Sequence, residues 1–416
     1  MRVWTRAALG VVVLVAAACT ASSPGQHQNP VGEVRIGLLA PLSGANHAAG
    51  QDALRGAQLA VALVNGEEGS VPLLSVTNAG LRGLGRPKLA IVPADTGSDP
   101  TTSPAKGATQ AANLVAQKRV VGLVGAYDAE VTAAASQRTE RLGVPFVNGD
   151  TSTGYLTERG LDWFFRTGPT DRMFGEAFFS ALSQQRNRPK RISVLSTTDT
   201  PGESLHAVLD QLAPEAGYDQ HGDVRFNPGK ANLLAEAQQL RNRERPDALF
   251  VATATGSDTA RALRALGRLG YRPPAILAIG GGFSEPDALL AAGTAAEGVW
   301  YSSAWSRGVA ARNPSAKPIM DRYQERYHSP MSEEAADSLT AVLTLAAALD
   351  AASSVDPQRV RGALMALDLP GRSTIMPWAG VQFDSSHQNA RAAGTVEQVV
   401  RGGVRVVFPP ELAPGG

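Results

Sequence analysis

The chain has 416 residues, 43% of them apolar, enough to bury sizeable cores and to suggest two or three globular units. Lysine and arginine number 39 against 38 aspartate and glutamate, a formal net charge of +1. So close a balance lacks the broad positive field that nucleic-acid binding requires, and no nucleic-acid partner is expected.

Residues 1–18 read as an export signal peptide. Arg2 and Arg6 make a basic start, Ala7 to Val15 a short apolar run, and Ala16, Ala17 and Ala18 a small-residue end. That run is too short for a comfortable permanent span. No later stretch has about 18 uninterrupted apolar residues, so no other span is expected. The single cysteine, Cys19, follows immediately and cannot form an internal disulfide. Ala16-Ala17-Ala18-Cys19 resembles the lipobox of bacterial lipoproteins, with Ala16 where a larger aliphatic residue is usual. The resemblance implies that the Cys19 thiol takes a diacylglycerol and becomes the mature N-terminus. The protein is then extracytoplasmic and held at the cell membrane as a lipoprotein. Residues 20–32 are rich in Ser, Gln, Pro and Gly, so 19–33 reads as a lipid-anchored flexible tether.

From Val34 onward, short apolar runs alternate with helical spacing. Val34 to Leu39 is a strand, Ser43 to Asn46 a small-residue loop, and Leu54, Ala57, Val61 and Val64 mark a helix. Further strands read at Leu89–Val92, Val120–Val124 and Val144–Val147, with helices at Thr102–Gln117 and Ala129–Leu142. A second series has strands at Arg191–Leu195, Ala248–Val251 and Ile276–Ile279. Leu205, Val208, Leu209, Leu212 and Ala213 form the apolar stripe of its first helix. Near the end come a long helix, Glu333 to Ser353, and strands at Val381–Phe383 and Val404–Phe408 that return to one lobe. Alternating strands and helices imply an α/β protein of two doubly wound parallel-sheet lobes. Ligands of such sheets lie beyond the carboxyl ends of the strands. The loops 43–49, 125–130, 148–153, 196–202, 252–257 and 280–284 all fall there and would line an interlobe cleft.

The order of several motifs resembles the branched-chain amino-acid-type solute-binding proteins of ABC importers. The matching stretches are Ile36-Gly37-Leu38-Leu39-Ala40-Pro41-Leu42-Ser43-Gly44, then Gly56 and Asn65, then Asp95 with Asp99-Pro100. Val121-Gly122-Leu123-Val124-Gly125, Gly143-Val144-Pro145-Phe146, Leu156-Thr157, Phe165-Arg166-Thr167 and Pro169-Thr170-Asp171 continue the series. Gln382-Phe383-Asp384 and Gln388-Asn389 end it, so the likeness runs from about Val34 to Pro409. It implies the type I periplasmic binding fold, with a three-strand hinge near Thr167, Trp305 and Pro377. The lobes would then be 34–168 with 306–377, and 169–305 with 378–412.

Amino-acid binders of that family hold the ligand carboxylate with hydroxyls and backbone N–H groups at helix starts. By position, the resemblance implicates Asp128, Ala129 and Glu130, and Asp150, Thr151 and Ser152. Ser152 suits an amino acid; Asp128 and Asp150 oppose a bound carboxylate. They accept hydrogen bonds from a hydroxyl or ammonium group, or else cap helices or turns. Tyr127 is an aromatic wall or ordinary core. The acidic residue that holds the ammonium should fall near Gly280 or Gly281, where three glycines stand. A tyrosine expected near Ala254 and an aromatic expected near Ala49 are also replaced. Thr253 and Thr255 remain as small polar groups. Phe283 and Trp305 offer apolar contact or core packing, and Asp199 faces the cleft or caps the helix beginning at Gly202. This set argues against a standard branched-chain amino acid and for a polar ligand, polyhydroxylated, amide-like or cationic.

The six histidines are scattered, with no helical pair and no Cys/His cluster, so no metal is expected. No GxSxG elbow occurs, Gly229-Lys230 lacks a P-loop context, and Gly280-Gly281-Gly282 lacks GxGxxG spacing. An enzyme and a cofactor are therefore not expected. The leading reading is a monomeric, lipid-anchored capture subunit that serves an ABC permease and ATPase. A ligand-sensing lipoprotein signalling to a membrane partner, and an enzyme or structural protein on the same scaffold, stay open.

Overall fold

A computed structural model describes residues 32–68, 80–280, 282–283, 286–401 and 403–413. The signal peptide, Cys19, the tether up to residue 31, and Gly281 lie outside the described residues.

The first lobe begins with β1 (Glu33–Ala40), α1 (His47–Val64), β2 (Lys88–Asp95), α2 (Ser103–Lys118) and β3 (Gly122–Gly125). It continues with α3 (Ala129–Leu142), β4 (Phe146–Asn148), α4 (Tyr155–Glu158) and β5 (Phe164–Arg166). These strands form one parallel sheet in the order β2-β1-β3-β4-β5. The second lobe opens with α5 (Asp171–Ser183), β6 (Arg191–Thr197), α6 (Thr200–Glu215), β7 (Asp219–Phe226), α7 (Leu234–Gln239) and β8 (Ala248–Ala252). Then come α8 (Gly256–Arg268), β9 (Ala275–Ile279), α9 (Pro286–Ala292) and β10 (Trp300–Ser303). The chain goes on through α10 (Arg307–Ala310), α11 (Ala316–Tyr327), α12 (Glu333–Ala352) and α13 (Pro357–Met365). It ends with a small hairpin, β11 (Leu369–Pro370) and β12 (Gly380–Val381), and the pair β13 (Thr395–Val400) and β14 (Gly403–Phe408). The second sheet has the order β14-β13-β10-β9-β8-β6-β7, parallel except for β13 and β14.

The central strands are near-continuous apolar runs because helices cover both faces. Ala248 to Ala252 and Ile276 to Ile279 are buried throughout. α12 is long and apolar enough to cross a membrane, yet 83% of its apolar window is buried within the protein. It packs on α1 at contact distance: a Cβ on Gly56 would stand 2.0 Å from the Ala335 carbonyl oxygen.

Two features depart from the sequence reading. Val381–Phe383 does not join the second sheet. Gly380–Val381 pairs with Leu369–Pro370, and the strand that does join is Thr395–Val400. Its Glu397 and Gln398 break the apolar run that would have marked it. Glu397 is buried nonetheless, accepting from the Tyr301 hydroxyl at 3.0 Å and from Ser306 Oγ. β7 is paired along the edge of β6 and carries a mixed polar sequence, so it too escaped the apolar criterion.

Three passages connect the lobes: 167–170, the stretch between β10 and α11, and 382–394. Arg166, fully buried at the end of β5, ties the first to the third. Its Nε donates to Gln388 Oε1 (2.6 Å), Nη1 to the carbonyls of Thr151 (3.1 Å) and Thr153 (2.7 Å), and Nη2 to Thr157 Oγ1 (3.0 Å). Burial lowers its pKa to about 10, against the support of Asp171, Glu158 and Asp384, so it stays charged at neutral pH. Arg166→Leu strands four buried acceptors and removes a positive charge facing Asp171. A loss of about 3–5 kcal/mol is expected, read as a lower urea midpoint with native-like secondary structure retained at zero urea.

Candidate functional site

The carboxyl ends of β3 and β4 supply the first rim. Asn148, wholly buried, donates through Nδ2 to the carbonyls of Gly125 (3.0 Å) and Ala126 (2.9 Å) and fastens the two loops together. Thr151 is buried behind them: its Oγ1 reaches the Tyr127 carbonyl (3.2 Å), the Ala126 carbonyl (3.2 Å) and Thr132 Oγ1 (3.1 Å). Tyr127 and Asp128 are half-buried on this rim and Glu130 is exposed.

Asp128 occupies the N-cap position of α3 but makes no side-chain capping bond. Its Oδ1 accepts from Asn46 Nδ2 at 3.3 Å instead. Burial and the neighbouring Glu130 push its carboxyl up to about 6, with Asn46 pulling the other way. Asp150 is half-buried. Burial, then Glu334, Glu333 and Asp128, hold its pKa well above the ordinary carboxylate range.

Those glutamates begin α12, whose sequence starts Glu333-Glu334-Ala335-Ala336-Asp337. Ser332 caps the helix by accepting from the Ala335 N–H at 3.3 Å. Glu333 accepts from the Ala304 N–H (2.8 Å) and Ser303 Oγ (3.1 Å), which joins the helix start to the end of β10. Burial and Glu334 push Glu333 up to about 8. Asp337, one turn on, is 3% exposed, and burial, Asp150, Glu333 and Glu334 all raise its pKa. Gly149 lies directly on Asp337: a Cβ added there would stand 3.1 Å from the Asp337 Cβ. Asp128, Asp150, Glu333, Glu334 and Asp337 therefore form one electrostatically linked acidic rim.

The second rim is less acidic at the positions described. Asp199 caps α6, accepting from the Gly202 N–H (3.2 Å) and Thr197 Oγ1 (2.6 Å). Thr255, exposed, caps α8 by accepting from the Asp258 N–H at 3.2 Å. Thr253 is buried against Thr259, Oγ1 to Oγ1 2.7 Å. At Gly280, φ is +103° and a Cβ would meet the Thr253 carbonyl oxygen at 2.4 Å, so no side chain fits. Phe283 is turned inward, buried edge-on against Tyr301 in the second-lobe core. The rims meet at Asp171, buried at the start of α5. It accepts from Ser152 Oγ of the first rim (2.5 Å) and Ser204 Oγ of α6 (3.1 Å). Burial raises the Asp171 pKa, against Ser152, Arg166 and Ser204.

The structure thus brings Tyr127, Asp128, Glu130, Asp150, Thr151 and Ser152 onto one rim, and Asp199, Thr253 and Thr255 onto the other. Phe283 is set apart from both. Glu333, Glu334 and Asp337 were not foreseen. Their signal was three acids at the start of an otherwise apolar helix, a pattern that ordinarily reads as complement to the helix dipole.

A family model described as periplasmic binding protein matches residues 33–403. The chain belongs to the periplasmic binding protein family. A "Leu/Ile/Val-binding protein homolog 7" of Brucella suis is 25% identical over 98% of this chain and 96% of its own length. Two crystal structures superpose with a TM-score of 0.74 each. A leucine-binding protein from Thermotoga maritima is 22% identical, covering 90% of this chain and 97% of the other. A branched-chain amino acid transporter substrate-binding protein from Streptococcus pneumoniae, solved with isoleucine, is 21% identical over 89% and 97%. The fold is the type I periplasmic binding fold, and the family and these neighbours are solute-binding proteins rather than enzymes.

The raised carboxyls set a pH dependence. The folded protein takes up protons at Glu333 and Asp128 as pH falls through about 8 and about 6. The unfolded chain does so only near pH 4. Folded stability is therefore gained as pH falls, and ligand-free protein should melt higher at pH 6.5 than at 8.5. Below that window His387, whose pKa is lowered by burial, begins to oppose the trend. Differential scanning fluorimetry across pH 6.5 to 8.5 reads the effect; a flat or inverted profile contradicts the acidic rim.

Proposed function

We propose that this protein is a lipid-anchored, extracytoplasmic solute-binding protein. It captures a small polar molecule between its lobes and delivers it to an ABC permease and ATPase. The family supports the capture role, and the convergence of both loop rims on Asp171 supports binding between the lobes. The observation that carries the reading of a polar ligand is the rim of Asp128, Asp150 and Asp337, which repels the carboxylate of a free amino acid. The glycine at 280, with no room for a side chain, further separates this cleft from one that holds an α-ammonium group by a second-lobe acid.

The ligand binds the folded protein and not the unfolded chain. At about 100 times its Kd it adds about 2.7 kcal/mol of stability. A thermal-shift screen against a metabolite library should return a polar hit, whereas leucine, isoleucine and valine leave the melting point unchanged. Tight binding of leucine or valine overturns the assignment.

The anchor rests on Ala16-Ala17-Ala18-Cys19. Two acyl chains, at about 0.8 kcal/mol per buried methylene, hold the protein firmly at a membrane. Expressed in a bacterial host, the protein should incorporate labelled palmitate and partition into the detergent phase of Triton X-114. Cys19→Ser should abolish both; palmitate labelling that survives the substitution rules out this anchor.

A further inference from the structure

The acidic rim contains a carboxylate that the fold does not satisfy. Asp337 Oδ1 is buried without a hydrogen-bond partner among the described residues, in a side chain only 3% exposed. It sits where Gly149 presses on α12. Asp150, Glu333 and Glu334 act on its charge, and Glu334, Glu333 and Asp128 on that of Asp150, all of them carboxylates. A buried carboxylate without a hydrogen-bond donor or a counter-ion is strongly disfavoured. An asparagine at 337 would be an inexpensive remedy, and the chain carries an aspartate there. A partner that arrives from outside accounts for the arrangement.

The chemistry of that partner follows from the donor set. Carboxylates accept and do not donate, so they select a group with several N–H donors and a positive charge. A bare metal ion fits poorly: among the described residues no group of three or more His, Cys, Asp or Glu side chains is placed to hold one. The acids come instead from three separate segments, at 128, 150 and 333–337. That spread suits an organic cation, with its charge carried on N–H groups set apart along a chain.

We propose that the captured solute carries an ammonium or guanidinium group and that Asp337 and Asp150 receive it. Asp128 and Glu334 supply long-range negative potential. Glu333 is a positioning residue, held by the Ala304 N–H and Ser303, that fixes the first turn of α12. The inference deepens the capture reading above and rests on it.

The test measures binding to full-length mature protein by calorimetry and thermal shift. The probes are putrescine, agmatine and arginine, with 1,4-butanediol, leucine and calcium chloride as comparisons. At least one organic cation should bind and raise the melting point, while the neutral diol does not. Asp337→Asn and Asp150→Asn should each weaken that binding about 10- to 100-fold, the range for loss of a charge-assisted bond. Neither should lower the ligand-free melting point at pH 8, because each replaces a carboxyl set among like groups by a neutral amide of the same shape. Should one variant fail to fold, the other carries the test. Cation binding unchanged in both variants, or calcium preferred over every organic cation, overturns the proposal. If the organic cations are silent but a neutral or anionic metabolite binds, capture stands and the cationic assignment falls. If no metabolite of any charge binds, the capture reading itself fails.

Discussion

The guanidinium of Arg166 joins the loop of the first rim to the third passage between the lobes. It is fully buried, yet each nitrogen has a partner, and the partners belong to different parts of the chain. The Thr151 and Thr153 carbonyls belong to the loop that carries the first rim, and Gln388 to the third passage. A buried charge is tolerable only when it is hydrogen-bonded on every side. Here that demand organises the rim, since the loop bearing Asp150 and Ser152 takes its shape around Arg166. Asp171, a few residues further, faces the same cation and receives Ser152 from one lobe and Ser204 from the other.

The acids at the start of α12 show the opposite economy. The Arg166 network matches donors to acceptors internally, whereas the α12 acids gather like charges. Two features make the arrangement tolerable. The helix N-terminus presents a positive dipole end and unpaired N–H groups, which favour anions in the first turn. Protonation is also available, as the raised pKa values of Asp128 and Glu333 indicate. Groups perturbed in this way mark candidates for a functional site. The rest of α12 provides the rigidity: buried almost throughout and packed on α1 at Gly56, it can hold repelling groups in place without yielding.

Much of the architecture was legible in the sequence, because a strand covered on both faces must be apolar and short. Arg191–Leu195, Ala248–Val251 and Ile276–Ile279 all read correctly for that reason. Strands that broke the rule were hidden. Thr395–Val400 carries a glutamate whose burial is made possible by a tyrosine 96 residues away, a relation no local pattern reveals. The rim was half legible. Loops at the ends of β3 and β4 follow from the fold class, but the part each side chain plays there does not. Thr151 looked like a ligand contact and spends its hydroxyl on loop carbonyls. Asp128 looked equally like a cap, and only the geometry shows that it caps nothing. The α12 acids lie some 180 residues beyond the loop they face, so their role depends on tertiary contact alone.

The clasp at residues 388 and 389 has a further consequence. Gln388 Nε2 donates to the Gly168 carbonyl (2.8 Å), and Asn389 Nδ2 to those of Thr167 (2.9 Å) and Gly380 (3.0 Å). Two passages that are separate in sequence are laced side by side by amides whose N–H groups donate to backbone carbonyls, while Gln388 Oε1 accepts from Arg166. The donor half of this joint depends on main-chain positions and holds the two passages together as one double connection. None of these donated bonds ends on a side chain of the acidic rim. Rim side chains can therefore change without removing the main-chain bonds that keep the two passages side by side.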